Sequence, residues 1–251
     1  MRCPQNFWLA NPLFRDSRKH IIFNFSAAAM KSKTSSGTGT DLKTKIKEAY
    51  LDYVLTEGVN PTSVYHLSKN KDFTESDFYQ IYNTFDAVSK DIWETILQQV
   101  FTSLETSDEY AGFSVREKVL SFYFTLVQEF RKQRSYVSYS AKNWARPGTK
   151  NAVQISIAKM VGEHFEKLVQ EGYETGELIN RSLVSSYYSK AMLAQFWLVV
   201  DFWIKDTSSD FEDTDAFIEK TINLGFGMMA ENTLDKAFDL AKFLWGRTRM
   251  A

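Results

Sequence analysis

The stretch "TSVYHLSKNKDFTESDFYQIYNTF", Thr62 to Phe85, decides how this chain folds. Thr62 or Ser63 offers a hydroxyl to cap a short helix running through Asn70, and Thr74 caps another running to about Tyr82. Only a few residues separate the two. Upstream, Leu42, Ile46, Ala49, Tyr50, Tyr53 and Val54 recur at the spacing of one helix face, Gly58 is placed to end that helix, and Pro61 bends the chain. Val64 and Leu67 can then pack on Ile46 and Tyr50 while Phe73 and Phe78 anchor the third helix, which holds the two short helices at a fixed angle. This is the pattern of a helix-turn-helix, whose second helix enters a major groove by its N-terminal residues.

Charge runs against that reading. From Thr74 to Ser89 the chain carries Glu75, Asp77 and Asp86 and no base, and Asp41 to Leu104 has a net charge of −4. Affinity for DNA comes mainly from basic groups on phosphates. Lys31 and Lys33 before the first helix, Lys43, Lys45 and Lys47 on it, and Lys69 and Lys71 near the turn offset part of the deficit.

Beyond this unit the chain reads as all-α, with nine or ten helices in total. Of its 251 residues, 44% are apolar and 15% aromatic, four are proline and eleven glycine, so long helical runs are interrupted rarely. A fourth helix runs from about Val88 to Leu104. "SVRE" (Ser114 to Glu117) is a reciprocal capping box opening a fifth, with Val115, Val119, Phe122, Leu126 and Phe130 inward. Arg146-Pro147-Gly148 breaks the chain after a short aromatic piece, and Val153, Ile157, Val161, Phe165 and Leu168 mark the next helix, bracketed by Gly172 and Gly176. Asn180 is placed to cap a helix reaching Ile204, and two more follow, over about 214–230 and 232–246. Residues 1–40 read as a flexible lead in which Met30 is a candidate first residue. Residues 41–88 read as the helix-turn-helix domain and 89–251 as a larger helical domain.

From Asp41 onward this order of elements resembles the TetR (tetracycline-repressor-like) family of one-component regulators. Gly58, Thr62, Thr74, Tyr79 and Tyr82 match positions of that family's helix-turn-helix, and Phe85 stands where a lysine is usual. The resemblance implies a homodimer that binds double-stranded DNA and responds to a small molecule. The DNA-contacting positions it implies are Lys43, Lys45, Ser63, Thr74, Ser76, Asp77, Tyr79, Gln80 and Tyr82. A dimer interface is implied for the helices around 180–204 and 214–230, through Phe196, Val200, Trp203, Ile218, Ile222, Gly225 and Met229. The alternative, which the acidic second helix favours, is a module of the same fold that binds a small molecule or a protein and no longer binds DNA.

The aromatic residues of the larger domain suggest a small apolar or aromatic ligand held between helices by Phe122, Phe130, Trp144, Phe165 and Trp197, with Tyr123, Tyr187 and Gln195 as its polar contacts. Nothing points to catalysis, a cofactor or a metal. "GFGMMA" (Gly225 to Ala230) spells a dinucleotide-binding pattern but lies in a helical run without the required strand and turn, so its glycines read as close helix packing. The three histidines, His20, His66 and His164, lack second ligands at metal spacing. "AMLAQFWLVVDFWI" (Ala191 to Ile204) is shorter than the roughly 20 residues that cross a bilayer, and a single cysteine, Cys3, fits a reducing cytoplasm.

Overall fold

Among the described residues the long helices bury an apolar stripe at three-and-four spacing, and five of the nine helices are opened by a side-chain cap. The computed structural model describes residues 38–142, 144, 151–181 and 184–230, the side chains from residue 41 onward, and these hold nine α-helices and no strand. The helices are α1 (Thr38–Glu57), α2 (Val64–Ser68), α3 (Glu75–Ile81), α4 (Phe85–Glu105), α5 (Val115–Lys132), α6 (Arg134–Ala141), α7 (Ala152–Thr175), α8 (Tyr188–Lys205) and α9 (Glu212–Ala230). The chain divides into two units, Met1–Asp41 and Leu42–Ala251, and the helix-turn-helix and the larger bundle lie together in the second. The helix expected over 232–246, Cys3, His20 and Met30 fall outside the described residues.

Helix α1 buries Ile46, Ala49, Tyr50 and Val54 and ends at Gly58, whose φ of +71° favours glycine. Val64, Leu67, Phe73 and Phe78 are buried in the same cluster, as their spacing predicts. Ser63, not Thr62, caps α2 by accepting the His66 N–H at 3.1 Å. Helix α4 starts at Phe85, three residues before its expected start, because Thr84 accepts the Ala87 N–H at 3.1 Å.

In the bundle, α4 packs on α5 and α7, α7 on α8, and α9 on α5 and α8. The Ser114–Glu117 capping box is present at the start of α5. An analogous pair that the sequence reading overlooked, Asn151 and Gln154, opens α7.

The helix expected from Asn180 starts instead at Tyr188, after a 3-10 turn over Ser185–Tyr187. The backbone leading into Asn180 is committed elsewhere. The Leu178 N–H donates to the Gly172 carbonyl at 2.9 Å and the Ile179 N–H to the Met229 carbonyl at 3.2 Å, so this segment closes the ends of α7 and α9. Arg181 adds its guanidinium to the carbonyls of Met228 and Met229 at 3.3 and 3.0 Å. The close packing expected of the "GFGMMA" glycines is not seen. A Cβ at Gly225 would meet only the tip of Met229 at 3.9 Å, and one at Gly227 would meet nothing within 4 Å.

Gly172 is the glycine that packing requires. A Cβ there would lie 2.6 Å from two atoms of Leu178. Gly172→Ala is expected to cost about 1–3 kcal/mol in a urea titration, whereas Gly112→Ala, with open space around it, should change stability by less than about 0.5 kcal/mol.

The loop into α9 turns on Asp206, which is buried at 6% exposure. Burial alone would raise its pKa, but hydrogen bonds from the hydroxyl and N–H of Ser208 and Thr214 hold it down at about 2. The folded value lies below the ordinary 3.8, so this carboxylate's contribution is complete above about pH 5 and fades as pH falls toward 2. The difference in urea midpoint between wild type and Asp206→Asn should therefore be constant near neutrality and shrink across that acid window.

Candidate regulatory site: helix-turn-helix and aromatic bundle core

The acids of α3 do different work from one another. Asp77 closes a capping box: Thr74 donates its N–H and hydroxyl to Asp77 Oδ2 at 2.8 Å each, and the Asp77 N–H donates to Thr74 Oγ1 at 3.2 Å. The Thr74 backbone bond, then the hydroxyl bond, lowers the Asp77 pKa. A carboxylate at that end of a helix also meets the favourable end of the peptide dipoles. Thr74 and Asp77, expected to face DNA, thus hold each other. Ser76, Tyr79 and Gln80 are exposed on the outer side of α3, Tyr79 at 51%, while Phe78 is fully buried on the inner side.

Tyr82 and Lys43 do not stand free for DNA either. Tyr82 is 6% exposed and donates its hydroxyl to Asp91 Oδ2 at 2.7 Å. Lys43 lies 2.8 Å and Lys47 3.2 Å from the same carboxylate. Partial burial would raise the Asp91 pKa, but these three donors lower it on balance. Pairing them joins α1 and the end of α3 to α4. Burial and the bond to Asp91 push the Tyr82 phenol far above its usual range. Lys71 pairs with Asp52 at 3.0 Å. Lys45 is exposed on α1, and Ser63 is committed to capping α2. Phe85, in the usual lysine position, stacks on Tyr50 at 5.9 Å and meets Phe78 edge-on at 5.5 Å, so it is a core contact of the three-helix unit.

Helix α6 lies between this unit and the bundle. Tyr136 and Ser89 share a hydrogen bond of 2.7 Å, Trp93 donates to Ser140 Oγ at 2.8 Å, and Tyr139 donates to Asn60 Oδ1 at 3.3 Å. Asn60 also accepts the Tyr50 hydroxyl at 2.8 Å.

The candidate ligand-binding rings pack against one another. Phe122 contacts Tyr123, Phe165 and Phe196 at 5.2, 5.3 and 6.4 Å, and Phe130 contacts Trp93 at 5.6 Å. Trp144 bridges Trp93 and Trp197 at 4.6 and 5.5 Å. Phe122, Tyr123, Phe130 and Phe165 are fully buried, so a ligand reaching them must part these rings. The polar groups assigned to the ligand have other partners. Tyr123 donates to the Met192 carbonyl at 3.3 Å, and Gln195 donates to Thr221 Oγ1 at 2.9 Å. Tyr187 is 60% exposed, with Lys190 over its ring. His164, set aside in the sequence, lies 5.0 Å from Phe101 and 5.2 Å from Phe122, with Nε2 buried and unpartnered. Burial, then nearby Lys167, lowers its pKa to about 4, so it is a neutral member of the cluster at pH 7.

The candidate dimer residues are core residues of the single chain. Phe196, Trp203 and Ile218 are fully buried, and Val200, Ile222 and Met229 are 2, 1 and 7% exposed, with Gly225 half-buried. Periodicity located the apolar helices but not their outer face, because both sides of α8 are apolar. That outer face carries Leu198 at 59% exposure, Leu224 at 62% and Met228 at 42%, beside Phe202 and Phe217 stacked at 4.5 Å.

Among the described residues no cluster of His, Cys, Asp and Glu is arranged to hold a metal, and no helix is long and apolar enough to cross a membrane.

Known proteins share this architecture. A candidate TetR-family transcriptional regulator from Syntrophomonas wolfei superposes with a TM-score of 0.62 at 15% identity, covering 77% of this chain and 99% of that one. A bacterial regulatory protein in the TetR family from Rhodococcus RHA1 superposes at 0.51 and 13% identity, covering 78% and 98%. No curated protein matches in sequence. At these identities the likeness is one of fold. Residues 118–244, just over half of the chain, match the model of the tetracyclin repressor-like C-terminal domain. The chain therefore belongs to the tetracyclin repressor-like (TetR) family.

Proposed function

We propose that this protein is a homodimeric, cytoplasmic transcriptional regulator that binds double-stranded DNA through α2 and α3 and changes that binding when a small molecule enters the helical bundle. The observation that carries the reading is the build of α3: Phe78 anchors its inner side, a capping box fixes its start, and Ser76, Tyr79 and Gln80 stand exposed on its outer side. From that side the Gln80 amide has the donor and acceptor to pair with adenine, and the Tyr79 hydroxyl suits a phosphate. No catalytic step is assigned to the protein.

A second reading has its own observation. Lys43 and Lys47 are engaged by Asp91 and Lys71 by Asp52, which leaves few bases to meet phosphate. In that case the chain is a TetR-fold binding module that does not contact DNA.

A mobility-shift assay on the protein's own upstream DNA, at low and moderate salt, separates the two. Glu75 is the α3 acid outside the capping box, so Glu75→Gln removes charge without loosening the helix start. It should tighten binding to random duplex at low salt about two- to fivefold. No shift by either protein at either salt establishes the non-binding module.

The second copy is placed on the outer face of α8 and α9, where Tyr187, Leu198, Phe202, Phe217, Leu224 and Met228 form an apolar surface on a pair of helices that serves as the dimer interface in the family. Light scattering at micromolar concentration should report a dimer, and Leu198→Glu with Leu224→Glu should yield a folded monomer. Ile222→Glu should instead unfold the chain, because the charge enters the subunit's own core. A monomeric wild type removes the dimer from this reading.

A further inference from the structure

The end of α5, the start of α6, the end of α8 and the loop into α9 meet in a corner rich in hydrogen-bond donors. The Arg134 guanidinium carbon lies 4.8 Å from the Trp203 ring centre and 4.5 Å from that of Phe211, and the Arg131 guanidinium lies 4.9 Å from the Phe211 ring. Trp203 and Phe211 stack at 5.5 Å. Asp210 and Phe211 both adopt left-handed backbone, with φ of 52° and 61°, a conformation that side chains other than glycine seldom take. That backbone sets the Phe211 ring within 4.9 Å of both guanidinium groups.

Three donors of this corner are buried with no acceptor among the described residues: Arg131 Nε, Arg134 Nη1 and Trp203 Nε1. Trp203 is fully buried. Arg131 spends its other nitrogens on Asp210, with Nη1 donating to the carboxylate at 2.8 Å and Nη2 to the carbonyl. Arg134 Nη2 reaches only the backbone carbonyl of Asp206, at 3.3 Å. The Asp206 carboxylate is occupied, since Ser208 fills one oxygen and Thr214 the other. Among the described residues the Arg134 charge therefore has no hydrogen-bonded carboxylate. Buried donors are costly when unpaired. An oxyanion brings only acceptors and a negative charge, which is the chemistry these donors lack, and charge-assisted bonds strengthen away from water.

We propose that the Arg131–Arg134–Trp203 corner binds a small oxyanion, the carboxylate or phosphoryl group of a small molecule, whether or not the chain binds DNA. The site differs from the aromatic cluster around Phe122 in chemistry, because it selects an anion. Arg134 is also the first residue of α6, the helix bonded to Ser89 and Asn60, so an occupied corner adjoins the element between the bundle and the helix-turn-helix.

The test is calorimetric titration of the full chain with inorganic phosphate, acetate and benzoate at fixed ionic strength in a chloride background. At least one should bind saturably. Arg134→Gln and Trp203→Phe should each weaken it about tenfold, and Lys220→Gln, a surface charge on α9, should not. Saturation by phosphate alone assigns a phosphoryl ligand, and by the carboxylates alone a carboxylic acid; either supports the site. Trp203→Phe keeps a ring and removes only the N–H, so it carries the test if Arg134→Gln fails to fold. The proposal is overturned if no anion saturates the folded wild type, or if binding is unchanged in the substituted proteins, in which case water serves these donors.

Discussion

The buried face of α4 is the constraint on which the rest depends. Ile92, Trp93, Ile96, Leu97 and Val100 are almost wholly withdrawn from water, and each such side chain favours burial by about 1.5–3 kcal/mol. No single neighbour covers that much surface, so α5 and α7 close on it together and α6 closes over its N-terminal part through Trp93 and Ser89. The other end of the same requirement is Asp91, exposed just enough to be charged and held so by Lys43, Lys47 and Tyr82. The helix-turn-helix is thus attached to the bundle by an ionic cluster at one point and by aromatic packing at another.

This attachment explains the unusual charge of the unit. In a DNA reader lysines are most useful facing outward, but here two of them neutralise a carboxylate that joins helices. Their fixed positions strengthen the joint and subtract from the attraction to phosphate. The acids are similarly divided. Asp77 is a helix cap that would be as useful in a protein with no interest in DNA, and Glu75 alone among the α3 acids is a surface charge. A count of charges treats these residues alike, whereas their partners separate them.

The proposed ligand response would run through α6. Helix α6 is short, holds Tyr136 and Tyr139 against Ser89 and Asn60, and begins at Arg134 beside the Trp203–Phe211 corner. The aromatic cluster of Trp93, Trp144 and Trp197 lies along the same contacts. A tightly packed interior shifts between arrangements rather than deforming smoothly, so rings parted by a ligand would change what α6 presents to α4.

By itself the sequence determined most of the helical segments and where most begin, while the short helix α6 read only as an aromatic piece. The reason is local: Thr74, Ser114 and Gly58 act within a few residues of their own position, and apolar spacing survives whatever the helix later packs against. The helix expected from Asn180 starts only at Tyr188, because the chain leading into it is held at Leu178 and Ile179 by Gly172 and Met229, the latter fifty positions from Ile179. Tertiary structure alone decided what the candidate site residues touch. Tyr82 reads as a surface phenol until Asp91 is brought to it, and Ile222 and Leu224 are equally apolar although only one is buried. Arg131 and Arg134 gave no signal, because arginines at a helix end are ordinary until Trp203 and Phe211 fold over them. Periodicity reports that a face is apolar, but which of two apolar faces meets the protein's own core depends on neighbours far along the chain.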